Sequence, residues 1–154
     1  MPSKSKVCFF YTYKSFSLKD RGPLKQFIEG IFKKEGKKLL SLNYVFCTDK
    51  QLLEINRRFL NHNFYTDIIT FDLSESKMTQ AEIHISIDRV RDNAGKLGIS
   101  FNRELHRVIF HGVLHLCGFS DKTKVETAKM RAREDHYLLS YFGPPRISRG
   151  TFTR

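Results

Sequence analysis

The hydrophobic pattern opens with a β-rich run, Val7 to Tyr13. It then shifts to helical spacing at Leu24, Phe27, Ile28, Ile31 and Phe32, behind Gly22-Pro23 and ahead of Gly36. A strand followed by an amphipathic helix is expected. Leu40, Leu42, Tyr44 and Phe46 alternate with mostly polar neighbours, which predicts a second strand with one face in the core. Thr48 and Gln51 have the T-x-x-Q spacing of a capping box, opening a helix through Leu52, Leu53, Asn56 and Leu60. Two short strand candidates follow, Asp67 to Leu73 and Glu82 to Ile87. The polar connector between them is too short for a crossover helix, so they are expected to pair as a loose hairpin.

Ser86 or Asp88 can cap a helix that carries Val90, Ala94 and Leu97 and stops at Gly98. Ser100 or Asn102 opens the next, which runs to Gly118. That helix is apolar nearly all round, at Leu105, Val108, Ile109, Phe110, Val113, Leu114 and Leu116, and should lie buried at the centre. A charged final helix, about Lys124 to Tyr141, has a thin apolar stripe at Val125, Ala128, Ala132 and Leu139 and ends at Gly143-Pro144-Pro145. The order β-α-β-α-β-β-α-α-α predicts a single α+β domain over residues 1–143, with a mixed four-stranded sheet and about five helices. Residues 144–154 read as a basic C-terminal tail that frays.

A length of 154 residues fits one domain with a real core. Twenty-seven Lys and Arg against 16 Asp and Glu give a formal charge of +11, which favours a polyanionic partner such as RNA, DNA or an anionic membrane face. Cys8, Cys47 and Cys117 share no repeated spacing and sit in apolar runs, as reduced buried thiols do, so a reducing cytosol is expected. The first residues lack the apolar length and cleavage site of a signal peptide. No segment approaches the roughly 20 apolar residues needed to cross a bilayer. A cytoplasmic protein without a membrane partner is therefore expected.

The stretch HGVLHLCGFSD, His111 to Asp121, changes the picture most. Residues four apart on a helix lie one turn above each other, so His111 and His115 can offer two imidazole nitrogens to one ion. Gly118 suits the left-handed turn that brings the chain back, and Asp121 follows at the distance where its carboxylate could join them. The expected centre is one zinc ion held by His111, His115 and Asp121, with the fourth position open to water in a zincin-like arrangement. The spacing H-x-x-x-H-x-x-G-x-x-D matches metzincin peptidases, whose general base follows the first histidine. Gly112 stands there and cannot take a proton. A mid-helix glycine costs about 1 kcal/mol relative to alanine, so either a packed neighbour or substrate is expected to come close to it.

HGVLHLCG, together with TDIITF (Thr66 to Phe71) and AEIHIS (Ala81 to Ser86), resembles the YbeY family of zinc-dependent endoribonucleases. The resemblance is strongest from Asn56 to Asp121. It implies a single-strand-directed RNA hydrolase that acts in maturation of small-subunit ribosomal RNA and in ribosome quality control, with ribosomal RNA and the small ribosomal subunit as partners. It places His111 and His115 on the first two zinc ligands and Asp121 where the family usually has histidine. It also implies an arginine six residues before Thr66, where this chain has Leu60. Arg57 and Arg58 are candidate substitutes for holding phosphate, although a solvated helix face suits them as well. Lys122 and Lys124 are alternatives.

No general base follows from the motif. Glu104, two turns before His111, reads as a first-turn helix charge rather than a proton acceptor. Asp67 could orient a ligand or cap a helix. His62, His84, His106 and His136 read as surface residues. Phe64 and Tyr65 could stack unpaired bases, but loop aromatics more often anchor to the core, and that is the expectation for Phe64. Two rivals remain beside the nuclease: a metzincin-like zinc peptidase and a non-catalytic ribosome-binding factor with a structural zinc.

Overall fold

A computed structural model describes residues 5–144, so all of the expected basic tail except Pro144 lies outside the described residues. The elements run β1 (Val7–Tyr11), α1 (Arg21–Lys34), β2 (Lys38–Cys47), α2 (Asp49–Leu60), β3 (Ile68–Asp72), β4 (Met78–Ser86), α3 (Ile87–Leu97), α4 (Phe101–Leu116) and α5 (Lys124–Phe142). They form a single α+β domain around a four-stranded sheet of order β1-β2-β4-β3. The pairs β1·β2 and β2·β4 are parallel, whereas β3 and β4 form the antiparallel hairpin at one edge.

One sheet face carries the main core. Val7, Leu42, Tyr44, Phe46, Ala81, Ile83 and Ile85 pack there with α1, α4 and α5. The phenol of Tyr44 is fully buried and donates to the Ile109 carbonyl at 3.0 Å, so its one polar group is satisfied inside the core. Helix α2 covers part of the opposite face through a smaller cluster of Leu52, Cys47 and Ile69. Leu60, at its end, is exposed instead of continuing the buried stripe.

Two expected phases are corrected. Leu40 is exposed and Leu39 buried, because the β2·β4 register shifts between Leu39 and Ser41; one extra residue reverses which neighbours face inward. In α5, Val125, Ala128, Ala132 and Leu139 all face solvent, while Met130, Glu134, Tyr137 and Leu138 are buried. The inward face is held by large and polar side chains, so hydrophobicity alone points to the wrong side of this helix.

Helix α4 is the buried central helix. The Ser100 hydroxyl caps it by accepting from the Arg103 N–H at 3.1 Å. At Gly112 the helix lies so close to the sheet that a Cβ would meet Ile83 Cδ1 at 2.7 Å and Ile68 Cδ1 at 3.0 Å. The close neighbour is therefore the sheet.

Candidate metal centre

Helix α4 presents His111 and His115 on one side, with ring centroids 4.6 Å apart. Its C-terminus then reverses through Gly118, at φ +103°, where the Gly118 N–H donates to the His115 carbonyl at 3.0 Å and the Phe119 N–H to Leu114 at 3.0 Å. That reversal carries Asp121 back. Its Oδ2 lies 3.4 Å from His111 Nε2 and 3.5 Å from His115 Nε2, and one donor atom from each residue falls within 4.8 Å of the others. Two ligands on zinc at bonds of about 2.0–2.1 Å, set tetrahedrally, are separated by about 3.3 Å. The two donor distances measured to Asp121 are close to that separation, and two imidazoles with one carboxylate are a donor set that zinc accepts. The cluster could hold a divalent ion.

Behind the first histidine stands a residue that the sequence pattern hid. Glu134, buried on α5, accepts from His111 Nδ1 at 2.6 Å through Oε2, and its Oε1 accepts from Arg107 Nη1 at 2.9 Å. Arg107 is itself fixed to Asp135 at 3.0 Å. A proton held on Nδ1 leaves the Nε2 lone pair directed at the cluster, which is the tautomer a metal ligand needs. Burial tends to lower the pKa of His111, but the Glu134 hydrogen bond and charge, then Asp121 and Asp67, outweigh it and raise the value. Burial tends to raise that of Glu134, yet His111 and Arg107 hold it below the usual carboxylate range. The signal for Glu134 was its spacing: Met130, Glu134, Tyr137 and Leu138 follow the i, i+4, i+7, i+8 rhythm of one helix face.

Two cavities of about 480 Å³ each meet at the cluster, and His111, Asp121, Asp67 and Ile68 line both. Thr66 and His115 belong to one wall; Glu104, Arg107 and Arg131 belong to the other. The cluster thus lies on an open groove rather than inside a closed shell.

The family model described as Endoribonuclease YbeY matches residues 14–141. Relatives named Endoribonuclease YbeY include one from Cytophaga hutchinsonii, 48% identical over 86% of this chain and 93% of its own. Another, from Flavobacterium psychrophilum, is 41% identical over 80% and 88%. The chain belongs to the YbeY endoribonuclease family. The solution structure of TM1509 from Thermotoga maritima superposes with a TM-score of 0.61 at 25% identity, covering 89% of each chain.

The basic residues read from the sequence as candidates for holding phosphate all lie on the surface. Arg57 and Arg58 are exposed on α2, where Arg57 donates to Asn63 and Arg58 faces Glu54 at 3.9 Å; neither lines the two cavities. Leu60, at the position of the family arginine, is exposed. Lys122 and Lys124 are exposed beyond Asp121. Arg131 and Lys96, which the sequence reading passed over, do line the groove.

Glu104 stands in the first turn of α4, as expected, and is buried on the groove wall. Burial raises its pKa although Arg107 counters in part. Asp67 accepts from Asn93 Nδ2 at 3.3 Å, and burial raises its pKa as well, against the charge of His111. His106 is not on the surface: it is buried against Tyr141, with Nδ1 2.7 Å from the Asn102 carbonyl oxygen. His84 is half-buried and lies 2.6 Å from Glu82, whereas His62 and His136 are exposed as expected. Phe64 does not anchor to the core; it is exposed, as is Tyr65. The three cysteines are free, with Cys47 buried and Cys8 and Cys117 partly so. Among the described residues no helix is long and apolar enough to cross a membrane.

Proposed function

We propose that the protein is a zinc-dependent endoribonuclease of the cytoplasm that cuts single-stranded segments of ribosomal RNA during maturation of the small subunit. The observation that carries this reading is the convergence of His111, His115 and Asp121 on an open groove, in a chain of the YbeY family. When bound, zinc supplies Lewis acidity, polarising a phosphoryl oxygen and acidifying water toward about neutral pH.

The chain's own residues prepare the rest. Glu134 keeps the His111 ring turned and its Nδ1 protonated, and Arg107 keeps Glu134 ionised. Arg131 and Lys96 place positive charge on the groove wall, where a phosphodiester and its developing charge can be neutralised; Lys122 stands just past Asp121. Arg57 and Arg58 serve longer stretches of backbone from α2.

A peptidase is disfavoured because the position of the metzincin base is Gly112, where side-chain space is already filled by Ile83 and Ile68. A purely structural zinc is disfavoured because such sites close with four protein ligands, whereas the cluster has three and opens on a groove. The zinc-loaded protein should therefore cut an unstructured RNA, spare its duplex and leave casein intact, and a chelator should stop the cutting. Cleavage of casein without cleavage of RNA would overturn the reading.

A further inference from the structure

The loop between α2 and β3 turns its aromatic side chains outward. Phe64 is 55% and Tyr65 53% exposed, yet the backbone beneath them is pinned. The buried Asn56 donates from Nδ2 to the Phe64 carbonyl at 2.9 Å, and the His62 N–H donates to the Asn56 carbonyl at 3.1 Å. Exposed rings on a fixed loop do nothing for the core.

Each ring is already backed on one side. His62 lies against Phe64 at 5.0 Å between ring centroids and 24° between planes, and the Arg89 guanidinium carbon sits 5.2 Å from the centre of Tyr65. Arg89 is in turn held by Asp49 at 2.6 Å. A half-exposed ring on a fixed support offers its free face with little ordering cost on binding. From Tyr65 the chain passes directly into Thr66 and Asp67, which line the wall that also holds His111, His115 and Asp121. Successive Cα atoms are about 3.8 Å apart, so the backbone that carries the two rings lies within one or two residues of the wall of the candidate centre.

We propose that Tyr65, backed by Arg89, and Phe64, backed by His62, are stacking platforms for unpaired bases of RNA that flank the cut position. The proposal rests on the endoribonuclease reading above. Unpaired RNA suits the site better than an apolar protein partner because Arg57, Arg58 and Arg89 lie on or beside the same loop in a chain of charge +11. Bases within a duplex already have both faces covered by neighbours, so a platform of this kind favours single strands. Tyr65 and Phe64 thus help set specificity, while the chemistry belongs to the cluster behind them.

The test uses the zinc-loaded full chain and a short unstructured RNA containing the fluorescent base 2-aminopurine. Tyr65→Ala and Phe64→Ala should each raise KM about tenfold, with kcat little changed and the salt dependence of binding unaltered, since no charge is removed. Native protein should quench 2-aminopurine by stacking, Tyr65→Ala should quench it less, and Tyr65→Phe should behave as native. Native KM and native quenching in both alanine variants would overturn the proposal, as would a Tyr65→Phe variant as impaired as Tyr65→Ala. If native protein cuts RNA while the variants are unaffected, only the stacking proposal falls. If native protein cuts no RNA, the endoribonuclease reading falls and takes this proposal with it.

Discussion

Glu134 on α5 accepts the Nδ1 proton of His111 on α4 at 2.6 Å, so the ring of this candidate ligand is oriented by a carboxylate 23 residues further along the chain. Glu134→Gln keeps the volume but removes the charge that fixes the ring. Zinc affinity should fall by about 10- to 100-fold, measured by competition with a chromogenic chelator. Glu134→Ala should also destabilise the fold by about 1.5–3 kcal/mol, because Arg107 loses the charge-assisted hydrogen bond at Nη1 while Asp135 still holds Nη2. Native zinc affinity in both variants would contradict the orienting role.

Gly112 sets how near α4 approaches the sheet. Alanine would gain about 1 kcal/mol in helix propensity, but its Cβ would meet Ile83 Cδ1 at 2.7 Å and Ile68 Cδ1 at 3.0 Å, so the fully buried Ile83 would have to turn within the core. Overpacking of this kind costs about 1–3 kcal/mol, so Gly112→Ala should lower the stability measured by urea unfolding. Adding Ile83→Val removes the clashing methyl and should recover part of the loss. An additive loss in the double variant would show that the clash is not the cause.

Asp121 brings a negative charge to a position where the family resemblance expects imidazole. A neutral ring there leaves the bound cation a stronger acidifying influence on the site. The alkaline-rising limb of the pH–rate profile for RNA cleavage should therefore move to lower pH in Asp121→His. Superimposable profiles would count against a ligand role for Asp121.

The His111–Glu134 pair also has a pH signature in metal-free protein. His111 is raised above its ordinary 6.5, so its contribution to stability is complete below that value and is lost as pH rises through the folded one. Glu134 is lowered below its ordinary 4.5, so its contribution is complete above that value and is lost as pH falls through the folded one. The stability difference between chelated native protein and Glu134→Gln should be greatest between about pH 4.5 and 6.5. A difference that keeps growing toward alkaline pH would contradict this assignment.

The fold was legible where hydrophobic spacing and capping chemistry agree. The Thr48–Gln51 capping box, the Ser86 and Ser100 caps and the turn at Gly98 all occur where the pattern puts them. The short connector before β4 gives the antiparallel hairpin for the same reason, since its length permits little else. Legibility ended where buried positions carry polar groups. Glu134 and Tyr137 occupy the inner face of α5 because Arg107, His111 and Glu35 satisfy them from other elements, and no local pattern reports such partners. His106 is buried rather than exposed because the Asn102 carbonyl, one turn earlier, and the Tyr141 ring accommodate its imidazole. Leu40 was misplaced by a one-residue register shift, which depends on the neighbouring strand.

The most direct test of the metal centre is elemental analysis of zinc in purified native protein beside His115→Ala, both dialysed against the same zinc-containing buffer. The account predicts about one zinc per native chain and a near-complete loss in the variant, because two remaining ligands rarely suffice. Equal zinc in the two proteins would contradict it.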